Sequence, residues 1–148
     1  MDSSIKTQMN IIKPIDRVSL AAKIGKPSVD KVVDDFYNRI QIHPTLSEPF
    51  SIVGHWDEHK EKISQFWWVA LGGNPSNSYS YDPVGKHFTA GFTQNLLNDW
   101  KTLFFEVLTT HLTLELAYEW QKRVEMIGEN LLRQNDRLNE RDHNNTQI

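Results

Sequence analysis

Apolar residues in the middle of the chain recur at the spacing of α-helices. One apolar stripe begins just after Pro27 and consists of Val29, Val32, Val33, Phe36 and Ile40. Relative to Val29 these residues lie at i, i+3, i+4, i+7 and i+11, which places their side chains on a single helix face. Ser28 is predicted to be the N-cap of this helix because serine side chains accept hydrogen bonds from the first turn. His43-Pro44 is predicted to end it.

Three further segments of the chain show the same helical spacing. The helix predicted over 56–71 has an apolar stripe that includes a histidine: Trp56, His59, Ile63, Phe66, Trp67 and Ala70. Two more helices are predicted over 94–111 and 114–133, and a short helix precedes Gly25. Since no segment alternates apolar and polar residues with a sustained period of two, the fold class is predicted to be all-α.

A long stretch without periodicity, residues 72–93, separates the helix predicted over 56–71 from the helix predicted over 94–111. Gly72-Gly73-Asn74-Pro75 is predicted to stop the preceding helix. The rest of the stretch is rich in glycine, serine, asparagine and tyrosine, and it contains Gly85-Lys86-His87-Phe88. Loops of this length within a domain are generally functional or disordered.

The two ends of the chain differ from the middle. Residues 1–13 are predicted to form a flexible N-terminal arm, and 134–148 a polar C-terminal tail that is a fraying helix or disordered. The 148 residues suffice for one domain, predicted over 14–133. No secretory signal is visible and no apolar run approaches the roughly 20 residues of a membrane-spanning helix. The expected location is therefore the cytoplasm, without a membrane partner.

Composition narrows the possible chemistry. The chain has no cysteine, which excludes disulfide scaffolds, thiolate metal sites, cysteine nucleophiles and covalent haem attachment. Its net charge of −3 argues against nucleic acid as the main partner. There is no HExxH zinc motif, no pair of Glu-x-x-His motifs for a di-iron centre, and no glycine-rich nucleotide motif.

Two histidines are the candidate ligands. His59 lies on the apolar stripe of its helix, and His87 lies in the glycine-rich stretch. A histidine on an apolar face is more often a core residue than a ligand, so both interpretations stay open on this ground alone. The predicted helices and the stretch between them also carry more aromatic and apolar surface than a small helical core requires: Phe36, Tyr37, Phe50, Phe66, Trp67, Phe88, Trp100, Leu103 and Phe104. A flat apolar cofactor such as haem, held by one histidine, would account for both features.

The order of several short motifs resembles that of the truncated haemoglobins. The resemblance covers about Ser19 to Leu132. It is carried by Phe36-Tyr37-Asn38-Arg39-Ile40, His43-Pro44, Pro49-Phe50, Trp56-Asp57-Glu58-His59-Lys60, Phe66-Trp67, Gly72-Gly73, Lys86-His87 and Trp100. The Trp-x-x-His sequence at Trp56, together with Trp100, looks most like the third group of this family, whereas Gly25 and Gly72-Gly73 look more like the first and second groups.

The resemblance implies a globin-like two-over-two helical sandwich that binds haem b (iron protoporphyrin IX) non-covalently. His87 matches the proximal iron ligand. Tyr37, His59 and Trp100 match the distal residues, which would act on the bound gas. The remaining cofactor-binding positions that we carry over are Phe50, Lys62, Ile63, Phe66, Lys86, Phe88, Leu103 and Phe104, with the two lysines facing the haem propionates.

The family resemblance also implies ligands and an activity. The expected ligands are the diatomic gases oxygen, nitric oxide and carbon monoxide. Three distal donors suit slow ligand release, and with it oxygen, nitric oxide or peroxide chemistry such as nitric oxide dioxygenase or peroxidase-like activity. An external reductase would supply electrons, since the chain carries no reductase domain. A non-enzymatic oxygen carrier or sensor is the main alternative, and an all-α interaction module without cofactor is a third.

Overall fold

The computed structural model describes residues 18–51, 54–75 and 93–146. In the last helix, side chains are described up to residue 137, with the exception of residue 135. These ranges contain five helices and no strand: α1 (Leu20–Ile24), α2 (Lys26–Ile40), α3 (Trp56–Ala70), α4 (Gln94–His111) and α5 (Leu114–Thr146). The all-α prediction is confirmed.

Gly25 joins the first two helices. It is the C-cap of α1 and the N-cap of α2, with a φ of 88° that glycine adopts without steric cost. The prediction that Ser28 caps the second helix is wrong, because α2 already begins at Lys26. Pro27 lies in its first turn, where the missing N–H has no helical acceptor to lose, so the helix can start before the proline.

The helices form two packed pairs that meet through α2. One pair is α2 with α3, the other is α4 with α5, and α2 also packs against α4. The largest fully buried side chains are Trp120, Phe36, Phe104, Ile40, Leu46, Leu71, Leu97 and Leu108. Leu46 and Leu71 lie outside the helices, and the others lie on helix faces. No helix in the described ranges combines the length and apolar character needed to cross a membrane.

Contacts from two helices, α1 and α5, converge where α3 ends. The backbone N–H of Ala21 in α1 donates to the carbonyl of Leu71 at 2.9 Å. The Arg123 guanidinium of α5 donates to the carbonyl of Ala70 at 2.6 Å. Gly72 follows with a φ of 100°, so the predicted stop at Gly72-Gly73 is confirmed. These bonds satisfy carbonyl groups that the end of a helix leaves without a partner.

Helix α5 extends further than its apolar stripe. The stripe predicted an end near residue 133, whereas the helix continues to Thr146. The polar segment after residue 133 contains no glycine or proline that would stop a helix. The tail was expected to be either a fraying helix or disordered, and it is helical up to Thr146. Lys101 ties α4 to α5, with its ammonium 2.9 Å from the Glu125 carboxylate.

A cluster of charged groups connects the outer side of α2 to the end of α4. Asp35 accepts two hydrogen bonds of 3.0 Å from Arg39, and its Oδ2 lies 2.8 Å from Nε2 of His111. Desolvation by burial acts to raise the pKa of Asp35. The hydrogen bonds and charges of Arg39 and His111 outweigh it and hold the pKa below its ordinary value of 3.8.

Replacing Gly72 with alanine is expected to destabilise the protein by about 1–3 kcal/mol, because a side chain is strained at this φ. An added Cβ would also lie 3.0 Å from the Cβ of Ser19. Urea denaturation measures the effect. Gly54→Ala is the matched control, since nothing lies within 4 Å of its Cβ position, and it should change stability by less than about 0.5 kcal/mol. Equal stability of Gly72→Ala and wild type would contradict the strain expected for a side chain at position 72.

The Asp35 cluster should make stability depend on pH in the acid range. A carboxyl whose pKa is lowered by folding stabilises the folded state above its unfolded pKa, and this contribution disappears as pH falls through the folded pKa. Asp35→Asn should therefore be less stable than wild type at neutral pH, with a difference that shrinks below about pH 4.

Urea denaturation at a series of pH values measures that difference. The control is Asp30→Asn, whose carboxylate is half exposed and pairs with Lys26 one turn away in the same helix. It should show a small difference at neutral pH. If the difference in unfolding free energy between wild type and Asp35→Asn stays constant from pH 7 to pH 3, protonation of Asp35 is not linked to stability.

Candidate functional site

Tyr37 lies in the middle of the aromatic contacts between α2 and α3. Its side chain is 2% exposed, and its ring meets the ring of Phe36 edge-on with centroids 5.1 Å apart. Phe50, in the turns that follow α2, is equally buried and lies 6.4 Å from the Tyr37 ring. Burial raises the pKa of the Tyr37 hydroxyl well above its ordinary value of 10.0. The hydroxyl therefore stays protonated and keeps its capacity to donate a hydrogen bond.

The structure brings His59 to Tyr37. His59 lies in the first turn of α3, half-buried, and its ring is perpendicular to that of Tyr37 with centroids 5.3 Å apart. Trp56, one turn earlier, contacts both, at 5.6 Å from Tyr37 and 5.7 Å from His59. Two helices thus place a hydroxyl, an imidazole and an indole side by side.

Trp100 approaches the same cluster from α4. It is buried together with Leu103 and Phe104, the two other predicted site residues of this helix. Its ring lies 6.1 Å from Phe36, and Phe104 lies 4.5 Å from Phe36. Phe36 therefore contacts the Tyr37 ring on one side and the aromatic residues of α4 on the other.

The remaining predicted residues of α3 divide between its inner and outer faces. Ile63, one turn after His59, is buried, and Phe66 is partly buried with its ring 5.2 Å from Trp67. Lys62 is exposed. Exposure of Lys62 is compatible with a role at the solvent edge of a cofactor, whereas Ile63 could only form an inner wall.

Three predicted residues lie outside the described part of the chain. These are Lys86, the proposed iron ligand His87, and Phe88. Their assignment stays a prediction from the sequence.

Sequence patterns gave no indication of several contacts around the site. Trp56 lies on the predicted apolar stripe, but the stripe does not indicate that Trp56 contacts both Tyr37 and His59. Lys60 donates from α3 to Asp34 at 2.9 Å and to Asn38 at 2.8 Å, both on α2. These partners are 22 and 26 residues away in the sequence, so the period of a single helix cannot reveal them.

His43 accepts hydrogen bonds in the turns that follow α2. Its Nδ1 accepts hydrogen bonds from the backbone N–H groups of Thr45 at 3.2 Å and Leu46 at 3.3 Å. The Thr45 hydroxyl in turn donates to Asp99 at 2.7 Å, next to Trp100 in α4. A histidine directly before a proline could have suggested such a turn cap.

The donor set of this cluster fits haem better than a metal ion held by protein ligands alone. The described residues contain no group of three histidine or carboxylate side chains that could hold a metal ion. They do contain a tyrosine, a histidine and a tryptophan among buried apolar walls such as Phe50, Ile63 and Phe104. Such donors can stabilise a polar ligand of a cofactor within an apolar pocket.

Comparison with known proteins gives the family. No family model matches the chain. A curated relative, the group 3 truncated hemoglobin ctb of Campylobacter jejuni, is 30% identical over 111 residues, which is 71% of this chain and 86% of that protein. The crystal structure of group III truncated hemoglobin from Campylobacter jejuni superposes with a TM-score of 0.67 at 28% identity.

That crystal structure matches 74% of this chain, and the match covers 90% of the other chain. Sequence and fold therefore agree over nearly the whole length of these relatives, and the agreement extends to the group that the Trp-x-x-His sequence indicated. The chain belongs to the truncated haemoglobin family and is most similar to its third group.

Proposed function

We propose that this protein holds haem b non-covalently through His87 and binds oxygen, nitric oxide and carbon monoxide beneath Tyr37, His59 and Trp100. Membership of the truncated haemoglobin family implies a haem protein that binds gas ligands. The contact between the buried Tyr37 ring and the half-buried His59 ring is the observation that supports the finer assignment. Bound haem would supply the iron atom that binds these gases.

The state of the Tyr37 hydroxyl suits this task. Since burial raises its pKa, the hydroxyl is neutral throughout the physiological range and offers a proton for hydrogen bonding. In surroundings of low dielectric constant, a fixed donor stabilises partial negative charge more strongly than water-exposed donors do. Bound oxygen carries such charge, whereas bound carbon monoxide carries less, so the donors should distinguish between the two gases.

The remaining site residues have supporting roles in this proposal. Phe50, Ile63, Phe66, Phe88, Leu103 and Phe104 form the apolar walls, while Lys62 and Lys86 pair with the haem propionates. Three donors retain oxygen longer than a carrier requires, which favours chemistry on oxygen, nitric oxide or peroxide over transport. Repeated turnover would draw electrons from a separate reductase.

Replacement of His87 with alanine is expected to abolish normal haem binding, or to allow it only when imidazole is supplied as a substitute ligand. Haem titration followed by the Soret absorbance measures this. The control is His55→Ala, since His55 is exposed and its side chain makes no capping hydrogen bond to α3. Full haem loading of His87→Ala with an unchanged spectrum would refute the ligand assignment.

Replacement of Tyr37 with phenylalanine should speed oxygen release by roughly 10- to 150-fold, because a hydrogen bond to a charged acceptor contributes about 1.5–3 kcal/mol. Carbon monoxide release should change much less, and Trp100→Phe should act in the same direction as Tyr37→Phe. Stopped-flow measurements on the ferrous protein give both rates.

Tyr118→Phe is the matched control for this experiment. Tyr118 is 54% exposed on α5 and should leave both release rates unchanged. If Tyr37→Phe and Trp100→Phe both release oxygen within about twofold of wild type, these residues are not the donors. His59 would then be the better candidate, and the argument for reactive chemistry would weaken.

A further inference from the structure

A lysine next to the distal histidine connects the two helices that carry Tyr37 and His59. Lys60 follows His59 in α3, and its side chain is 17% exposed. Its ammonium donates to Asp34 Oδ1 at 2.9 Å and to Asn38 Oδ1 at 2.8 Å. Asp34 and Asn38 lie one turn apart on α2, and the Asn38 amide also donates to Asp34 at 3.4 Å. We call Lys60, Asp34 and Asn38 the α2–α3 bridge.

The bridge residues Asn38 and Lys60 directly follow the two proposed donors, Tyr37 and His59, in the sequence. Asn38 follows Tyr37 on α2, just as Lys60 follows His59 on α3. The bond from Lys60 to Asn38 therefore joins the two helices one residue beyond the 5.3 Å contact between the Tyr37 and His59 rings. A change in the separation of the helices at the bridge must also change the separation of those rings.

We propose that Lys60 is a positioning residue that fixes Tyr37 relative to His59 and thereby slows oxygen release. This inference rests on the proposed function. Lys60 itself contacts no ligand. Its effect passes through the placement of α2 against α3, because donor strength depends steeply on distance and angle. Supporting residues that orient functional side chains commonly matter for this reason.

The partial burial of Lys60 distinguishes the bridge from ordinary surface ion pairs. Exposed pairs contribute little because solvent and salt screen them. Here the Asp34 side chain is 63% exposed and is open to screening, whereas the Lys60 side chain is only 17% exposed and its ammonium has a neutral second acceptor in Asn38. Added salt should therefore weaken the bond to Asp34 and leave the bond to Asn38 largely in place.

The first test measures gas release from the haem-loaded protein. Lys60→Met keeps an apolar stem of similar length and removes the ammonium. We expect oxygen release to become about three- to tenfold faster, a smaller change than direct removal of a donor, with carbon monoxide release within about twofold of wild type. In a Tyr37→Phe background the same substitution should have no further effect on oxygen release.

A second variant removes the acceptors and leaves the lysine in place. Asp34→Ala with Asn38→Ala changes only exposed positions of α2 and should speed oxygen release as Lys60→Met does. The control is Lys122→Met, since Lys122 is 72% exposed and pairs with Glu119 within α5. It should release oxygen at the wild-type rate.

The second test needs no haem. In the full chain without added haem, a double-mutant cycle of Lys60→Met and Asn38→Ala should show coupling, a change of at least about threefold in the unfolding equilibrium constant beyond additivity. A coupling near zero would show that Lys60 and Asn38 do not hold α2 and α3 together. Oxygen release at the wild-type rate in Lys60→Met while Tyr37→Phe releases oxygen faster would overturn the positioning role.

The outcomes separate this inference from the proposed function. If wild type shows no Soret absorbance of bound haem, or if oxygen release is unchanged in Tyr37→Phe, the donor assignment is refuted. The positioning role of Lys60 is then refuted as well. A fast Tyr37→Phe together with an unaffected Lys60→Met refutes the positioning role alone. Equal acceleration of oxygen and carbon monoxide release in Lys60→Met would indicate an effect on ligand passage and would also overturn it.

Discussion

The contact between Phe36 and Tyr37 is the constraint on which the rest of the site depends. Adjacent residues on a helix point about 100° apart, so these two rings cannot face the same neighbour. Phe36 packs against Trp100 and Phe104 of α4, and Tyr37 packs against Trp56 and His59 of α3. Helix α2 therefore holds the two helix pairs together at the same point at which it presents a buried hydroxyl.

Helix periodicity could predict most of the fold because the spacing of apolar residues within each helix determines which of its faces is buried. The stripe from Val29 to Ile40 is buried as expected, and α4 has the predicted bounds Gln94–His111. Errors arose at helix ends, where several signals compete. Ser28 has the chemistry of an N-cap, yet Pro27 and Gly25 allow α2 to begin earlier.

The candidate site was less accessible to sequence reasoning. The motif order assigned distal roles to Tyr37, His59 and Trp100, and the structure places the first two in contact. The same motifs include Trp56 and Lys60 but do not indicate that both contact residues of α2. A lysine in an amphipathic helix is usually solvated, and only the packing of α3 on α2 reveals that Lys60 is enclosed by polar groups of a neighbour.

The long sequence separation of the contacts that secure α2 bears on the order of folding during synthesis. Asp35 and His111 are 76 residues apart, and Trp67 finds the ring of Trp120 only at the other end of the domain. Domains are made from the N-terminus at about 5–20 residues per second. The apolar faces of α2 and α3 must therefore wait several seconds on the ribosome before α4 and α5 can cover them. During that interval the aromatic residues that α4 and α5 later cover are exposed to solvent and prone to aggregation.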